Sequence, residues 1–326
     1  MVYHTVDVTG DRVIASGAIL IPIGITDPDV LSIQHATFFA DEEAPSENGD
    51  FSVVRRKSIF AAAGNVVFLP DYIGYGETGD LVHPYFQKSS LAQSSYDFIL
   101  AGREFLLSKT SIDFDKPLHL AGYSEGAYAT LALANLIEAQ EPDLDLGLLS
   151  LGSGAYDLEA TVSEFVGSID QPMACIACNA FFVYAYQHYH QLGGALSTYI
   201  KSPFAELIEG GLLNGDYNAA EIAAALPVSG IDLFDEAFVA RYENEEEEVF
   251  QNLLEQNSIS KLPNARLMII HGNEDGVAPV FNSRDLAQNA TAQGKDASYI
   301  ELPGVNHFDG IIDWGFLTLQ ELDQLR

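Results

Sequence analysis

Positive charge is scarce in this sequence. Fifteen Lys and Arg face 47 Asp and Glu among 326 residues, a formal net charge of −32. Non-specific affinity for nucleic acid comes from Lys and Arg neutralising phosphates, so nucleic acid is excluded as a partner. Anionic membrane surfaces would repel the chain for the same reason. Long apolar runs are also missing. No stretch approaches 18 uncharged apolar residues, so no transmembrane helix and no stable membrane insertion are expected. The opening residues, MVYHTVDVTG, have neither a basic n-region nor an apolar h-region. The expectation is a secreted or periplasmic protein whose signal peptide is absent from this sequence, with the cytoplasm as the alternative.

Cysteine is nearly absent: only Cys175 and Cys178 occur, in QPMACIACNA. Two thiols are too few for a zinc site unless histidines join them. A redox C-x-x-C opens a helix after a strand in a thioredoxin-like unit, and no such unit surrounds this pair. They read as small buried residues or a local disulfide. Internal repeats and low-complexity tracts are missing too.

What is present is apolar. A hydrophobic fraction of 48% excludes overall disorder and can fill a large core. The length suits two domains, or one α/β domain with a large insertion. The acidic excess reads either as a carboxylate shell suited to saline surroundings or as ordinary acidity.

Apolar, β-branched segments at 13–24, 31–39, 65–72, 116–122, 146–154, 265–272 and 297–304 predict strands. Residues 41–50 form a polar loop between them. Helical spacing is found at 89–110, with Ser90 as its N-cap, at 127–140 and at 314–326. Strands alternating with helices predict a mostly parallel central sheet flanked by helices, the α/β class. Residues 157–262 break the alternation. They hold helix candidates at 179–192, 218–226 and 238–257 and no clear strand, which predicts an inserted helical cap. The core domain is then 1–156 with 263–326. The acidic run at 243–248 inside the cap reads as a solvated helix face rather than a cation site.

Gly122-Tyr123-Ser124-Glu125-Gly126 fits G-x-S-x-G. About 0.15 chance matches are expected in a chain of this length, so the motif alone is moderately specific. Its position, between the strand PLHLA and the helix AYATLALANLIEA, is the strand–nucleophile–helix turn that acyl transfer uses. The turn lifts a hydroxyl above the sheet, and the helix aims its first N–H groups at a developing oxyanion. The Glu125 amide is one expected donor. A serine hydroxyl needs a base, and the base an orienting carboxylate, in the chain order Ser, acid, His. Asp275, in the loop after strand ARLMII, is the acid, with Glu274 and Asp285 as competitors. His307, after the last strand, is the base. His35 and His83 precede the serine, which is the wrong order. His271 ends a strand and reads as structural.

The matching text extends beyond the elbow. LSIQHAT, PDYIGYGET, HPYFQ, GYSEGAYATLAL, the run at 271–279 and VNH together resemble the secretory lipase family of α/β-hydrolases, the lipase A type. The resemblance spans roughly 13–156 and 263–326. The family's Ser–Asp–His triad falls on Ser124, Asp275 and His307. The resemblance implies a serine carboxylic-ester hydrolase, an esterase or lipase, working through an acyl-enzyme. A small-molecule ester is the implied partner, and no metal or organic cofactor is called for. The second oxyanion amide falls to Thr37, with Ala36 as the alternative, because Ala36 stands where a His-Gly pair would put glycine. Asp71 reads as a brace for its loop. The absence of an HGGG motif argues against bulky tertiary alcohols. The cap's aromatic segment, with Phe181, Phe182, Tyr184, Tyr186 and Tyr189, suggests an acyl pocket, for which Tyr123, Phe181, Tyr184 and His188 are the candidate residues, or else a seam between cap and sheet. A compact cap suggests short- to medium-chain acyl groups. The rivals are a serine peptidase or amidase on the same fold and a catalytically silent binding protein. Nothing in the sequence speaks to oligomeric state.

Overall fold

The computed structural model describes residues 1–47, 53–110, 112, 115–190 and 192–326. Part of the polar loop expected at 41–50, and Gln191 of the expected helix 179–192, lie outside the described residues. Eight strands form one sheet: β1 Val2–Val6, β2 Arg12–Leu20, β3 Asp29–Gln34, β4 Asn65–Pro70, β5 Leu118–Tyr123, β6 Leu146–Gly152, β7 Arg266–Gly272 and β8 Ala297–Leu302. Their spatial order is β1-β2-β4-β3-β5-β6-β7-β8. β1 and β2 run antiparallel to their neighbours, and every pairing from β4 to β8 is parallel.

Twelve α-helices are described. They are α1 Val53–Ala62, α2 Lys88–Lys109, α3 Glu125–Gln140, α4 Leu158–Gly167, α5 Ile176–His190, α6 Phe204–Leu207, α7 Ala219–Ala225, α8 Gly230–Leu233, α9 Glu236–Glu243, α10 Glu248–Asn257, α11 Phe281–Ala292 and α12 His307–Gln324. The central strands alternate in what they touch, as a period of two requires. On β4, Val66 and Phe68 join one core cluster while Val67 and Leu69 join the other. The first cluster takes in α2, α3 and α11, and the second takes in Phe60 of α1 with Trp314 and Leu322 of α12. Both faces of the sheet are therefore covered, which is why β4 and β5 are buried at every residue.

The segment between β6 and β7 is helical, with only the isolated bridges Pro172–Ser229 and Ile200–Phe234 among its described residues. It is tied down where it leaves and returns. Asn282 Oδ1 accepts from the N–H groups of Tyr156 and Asp157, and Ser258 Oγ accepts from Leu158 N–H.

Several expectations change. β1 and α1 were not foreseen. β1 is a five-residue edge strand, and α1 carries Arg55-Arg56-Lys57 in its first half, which hides its apolar period. Ser90 is not a cap: α2 begins two residues earlier, and Lys88 N–H is satisfied by Asn257 Oδ1 from the far end of the helical segment. The expected helix 238–257 is two helices, α9 and α10. The acidic run forms the break, where Glu245 has φ 60°. Glu247 there pairs with Arg241 at 2.6 Å, and no group of metal-ligating side chains occurs among the described residues. Of the two readings open for Cys175 and Cys178, the structure has the local disulfide.

Candidate active site

β5 ends at Tyr123, α3 begins at Glu125, and Ser124 alone forms the turn with φ 58° and ψ −125°. A non-glycine residue held there costs about 1–3 kcal/mol, offset by the packing around it. The two motif glycines are needed for that packing. A Cβ on Gly122 would strike the Gly126 carbonyl, and a Cβ on Gly126 would strike the Gln34 carbonyl at the end of β3. Ser124 N–H donates to Gly152 O at 2.7 Å, which pins the turn to β6.

His307 is the first residue of α12. Asn306 caps that helix, its Oδ1 accepting from Phe308 and Asp309 N–H. Tyr123 Oη donates to the His307 carbonyl at 2.6 Å, locking helix to strand. The imidazole bridges two groups. Nδ1 lies 2.6 Å from Asp275 Oδ2, and Nε2 lies 2.8 Å from Ser124 Oγ. A carboxylate only accepts, so the ring proton sits on Nδ1 and the Nε2 lone pair faces the serine.

Asp275 follows β7 in a tight loop, where its Oδ1 accepts from Val277 and Ala278 N–H at 2.9 and 2.8 Å. Burial by itself would raise its pKa. Hydrogen bonds and charge from His271 and His307 outweigh that and hold the carboxyl below the ordinary carboxylate range. His271, at the end of β7, also reaches the acid, which its place at a strand end does not signal. Its Nε2 donates to Ala278 O at 2.8 Å and lies 3.3 Å from Asp275 Oδ2, while Nδ1 accepts from Ser283 at 2.7 Å. Glu274 and Asp285, the competing acids, are exposed.

The residues expected on the oxyanion side come from α3 and the loop after β3. The Glu125 amide opens α3, among the N–H groups that a helix leaves without an internal acceptor. The N–H groups of Ala36 and Thr37 donate to nothing within the protein among the described residues. The Glu125 side chain is fully buried. Its Oε1 lies 2.7 Å from His83 Nε2 and its Oε2 lies 3.1 Å from Thr37 Oγ1. One carboxylate thus joins both residues whose amides were expected to act together. His83 precedes the serine in sequence. That order excludes it as the base but says nothing about bracing. His35 is also buried, its ring between Phe38 and Tyr72 at 4.3 and 4.1 Å, and burial pushes its pKa down to about 4. Asp71 accepts from Ser16 Oγ at 2.5 Å and Ser46 N–H at 2.8 Å, tying the neighbouring loops to β2.

Two cavities meet at Ser124. The larger, about 580 Å³, is lined by the loop after β3, by Ser124 and His307, and by α1 and α12. The smaller, about 60 Å³, lies among Phe86, Ala155, Leu158, Thr161 and Phe182 and has Ser124 but not His307 on its wall. Of the expected pocket residues, Tyr123 lines the larger cavity. Phe181, Tyr184 and His188 line neither. Phe181 is buried against Tyr85 and Phe39, Tyr184 neighbours His188, and His188 is exposed. The face of α5 that lines the small cavity with Ser124 carries Cys178, Asn179 and Phe182, and Phe182 sits about 100° around the helix from Phe181.

The secretory lipase family model matches residues 58–313. No curated protein sequence is similar enough to match. Among solved structures, a Legionella pneumophila protein provisionally classed as a hydrolase superposes with a TM-score of 0.90 at 26% identity, over 99% of this chain and 87% of that one. The rice cell wall degrading esterase LipA from Xanthomonas oryzae gives 0.83 at 21% identity, over 100% and 90%. Candida antarctica lipase A in its closed state gives 0.72 at 15% identity, over 95% and 73%. The last two likenesses are of fold. The family match covers most of the chain, through the elbow, the acid loop and His307. This chain belongs to the secretory lipase family of α/β-hydrolases and is a carboxylesterase or lipase, a hydrolase of ester bonds.

Proposed function

We propose that the protein cleaves short- to medium-chain acyl esters through a Ser124–His307–Asp275 triad and an acyl-enzyme. The observation that carries this is the unbroken line from Asp275 Oδ2 through His307 to Ser124 Oγ, at 2.6 and 2.8 Å, at a strand-to-helix turn. His307 Nε2 takes the hydroxyl proton as Oγ attacks the ester carbonyl carbon. The oxyanion accepts from the amides of Glu125 and Thr37, with Ala36 as the alternative to Thr37. As the tetrahedral adduct collapses, the C–O bond to the alcohol breaks and His307 returns the proton to the departing oxygen. A water then attacks the acyl-enzyme. His307 takes its proton, the acid leaves, and Ser124 Oγ is reprotonated. Asp275 holds the Nδ1–H tautomer and stabilises the imidazolium at both stages.

Residues 157–262 act as a cap over the 1–156 and 263–326 core in this reading, contributing the α4 and α5 walls of the small cavity. Its volume of about 60 Å³ holds about four or five water-sized groups, which supports a short acyl chain. Export from the cytoplasm is supported by the family and by the Cys175–Cys178 disulfide, since such bonds persist in oxidising compartments. No helix among the described residues is long and apolar enough to cross a membrane.

The test is labelling with a fluorophosphonate probe. Wild type labels at Ser124, and Ser124→Ala, with unchanged circular dichroism, neither labels nor hydrolyses p-nitrophenyl butyrate. Equal labelling of the two proteins removes the nucleophile assignment.

A further inference from the structure

The two cavities at Ser124 differ in a way that assigns the two halves of an ester. An ester carbonyl carbon carries an acyl chain and an alkoxy group, which leave it in different directions. His307 must protonate the alkoxy oxygen as it departs, so that oxygen lies within hydrogen-bond reach of Nε2. The leaving group therefore extends into whichever space has His307 on its wall. That is the larger cavity alone.

This cavity is an open apolar trough. One wall is α12, where Phe308, Ile312 and Phe316 repeat every four residues and are 62%, 61% and 64% exposed. Four-residue spacing places them on one face of the helix. The other wall is α1, with Ile59 47% exposed. Large side chains on a soluble protein are rarely exposed in a continuous row without a partner. Here the row starts beside the general base. Its volume of about 580 Å³ suits a ligand far larger than the small cavity admits. Charge enters it only through Glu43, Arg56 and Lys57 on the α1 side.

We infer that the trough between α1 and α12 is the leaving-alcohol site, and that the substrates are short-acyl esters of long, apolar alcohols. The inference rests on the Ser124 acyl-enzyme reading and deepens it. Each methylene laid against the trough contributes about 2- to 4-fold to kcat/KM, the lower figure for a wall on one side only.

Two ester series test it, with kcat/KM read for each. In alkyl acetates from methyl to decyl the value rises at least tenfold between ethyl and octyl. In methyl esters from acetate to decanoate it falls beyond about four acyl carbons. The variant Ile312→Ser/Phe316→Ser, altered at two exposed positions, flattens the alcohol series and leaves the slope of the acyl series in place. A flattened acyl series in that variant, or a rising acyl series with a flat alcohol series in wild type, means that the trough holds the acyl chain and overturns the assignment. Failure of the underlying reading looks different: neither series turns over, and the fluorophosphonate probe does not label Ser124.

Discussion

Replacing His83 with alanine strands a carboxylate inside the protein. Glu125 is fully buried and His83 is 2% exposed, with 2.7 Å between Oε1 and Nε2. His83 Nδ1 lies 2.7 Å from the Ile73 carbonyl, which can only accept, so Nδ1 carries a proton. The contact at Nε2 then holds a second proton between imidazole and carboxyl, and the pair is neutral overall. His83→Ala removes that proton with its partner and leaves Thr37 as the remaining neighbour of a buried anion. Breaking a buried pair in this way costs about 3–5 kcal/mol. That is a large fraction of the roughly 5–15 kcal/mol that stabilises a typical domain. Glu125→Gln has the opposite character. Its carboxamide donates to His83 Nε2 and accepts from Thr37, so both contacts survive and the cost stays near 1 kcal/mol. The double variant loses a hydrogen bond and some packing but buries no charge, at about 1–3 kcal/mol. Adding Glu125→Gln to His83→Ala therefore recovers roughly 2 kcal/mol. Urea unfolding at pH 7, followed by fluorescence, measures the midpoints at constant m. A His83→Ala protein within 1 kcal/mol of wild type refutes the buried-pair account. So does a double variant no more stable than His83→Ala.

Asp275→Asn presents the wrong imidazole tautomer to Ser124, and kcat for a p-nitrophenyl ester falls about 10⁴-fold, the loss seen in a serine-protease triad. Because the Asp275 pKa is depressed in the fold, its stabilising contribution is complete above the unfolded value of about 3.9 and is lost as pH falls through the folded value. The stability gap between wild type and Asp275→Asn, read from urea midpoints, therefore closes as pH drops below about 4. Asp41 has the reverse sign. Burial first, then the charges of Asp216 and Glu47, push its pKa up to about 6. Its ionisation opposes folding progressively from about pH 4 to 6. Asp41→Asn thus stabilises by a few tenths to about 1 kcal/mol at pH 7, discounted for its partial exposure, and has little effect at pH 4. A gain that is equal at both pH values counts against the explanation. The net charge of −32 repels itself, and salt screens that repulsion, so thermal midpoints hold or rise with NaCl up to molar levels. A monotonic fall removes the electrostatic account.

Much of the candidate site is local and so was legible in one dimension. G-x-S-x-G can be read because both glycines are fixed by contacts with backbone: Gly122 against Gly126, and Gly126 against the end of β3. Asp275 and His307 could be proposed as partners of Ser124 because each follows a strand of a parallel sheet in the chain order Ser, acid, His. Strand and helix periods fixed the α/β class and the place of the helical segment. What remained hidden depends on residues far apart in sequence. His83 meets Glu125 across 42 positions, and nothing in the periodicity of either segment signals the pair. The start of α2 is set by Asn257, 169 positions away, which no capping rule applied to Ser90 can anticipate. The trough joins α1 to α12 across most of the chain, and its lining follows from helices packing side by side on one face of the sheet. The phase of α5, which turns Phe182 rather than Phe181 toward the serine, was decided in the same way. A helix aromatic on nearly every side has no period to read, and only its packed neighbours choose the face that is buried.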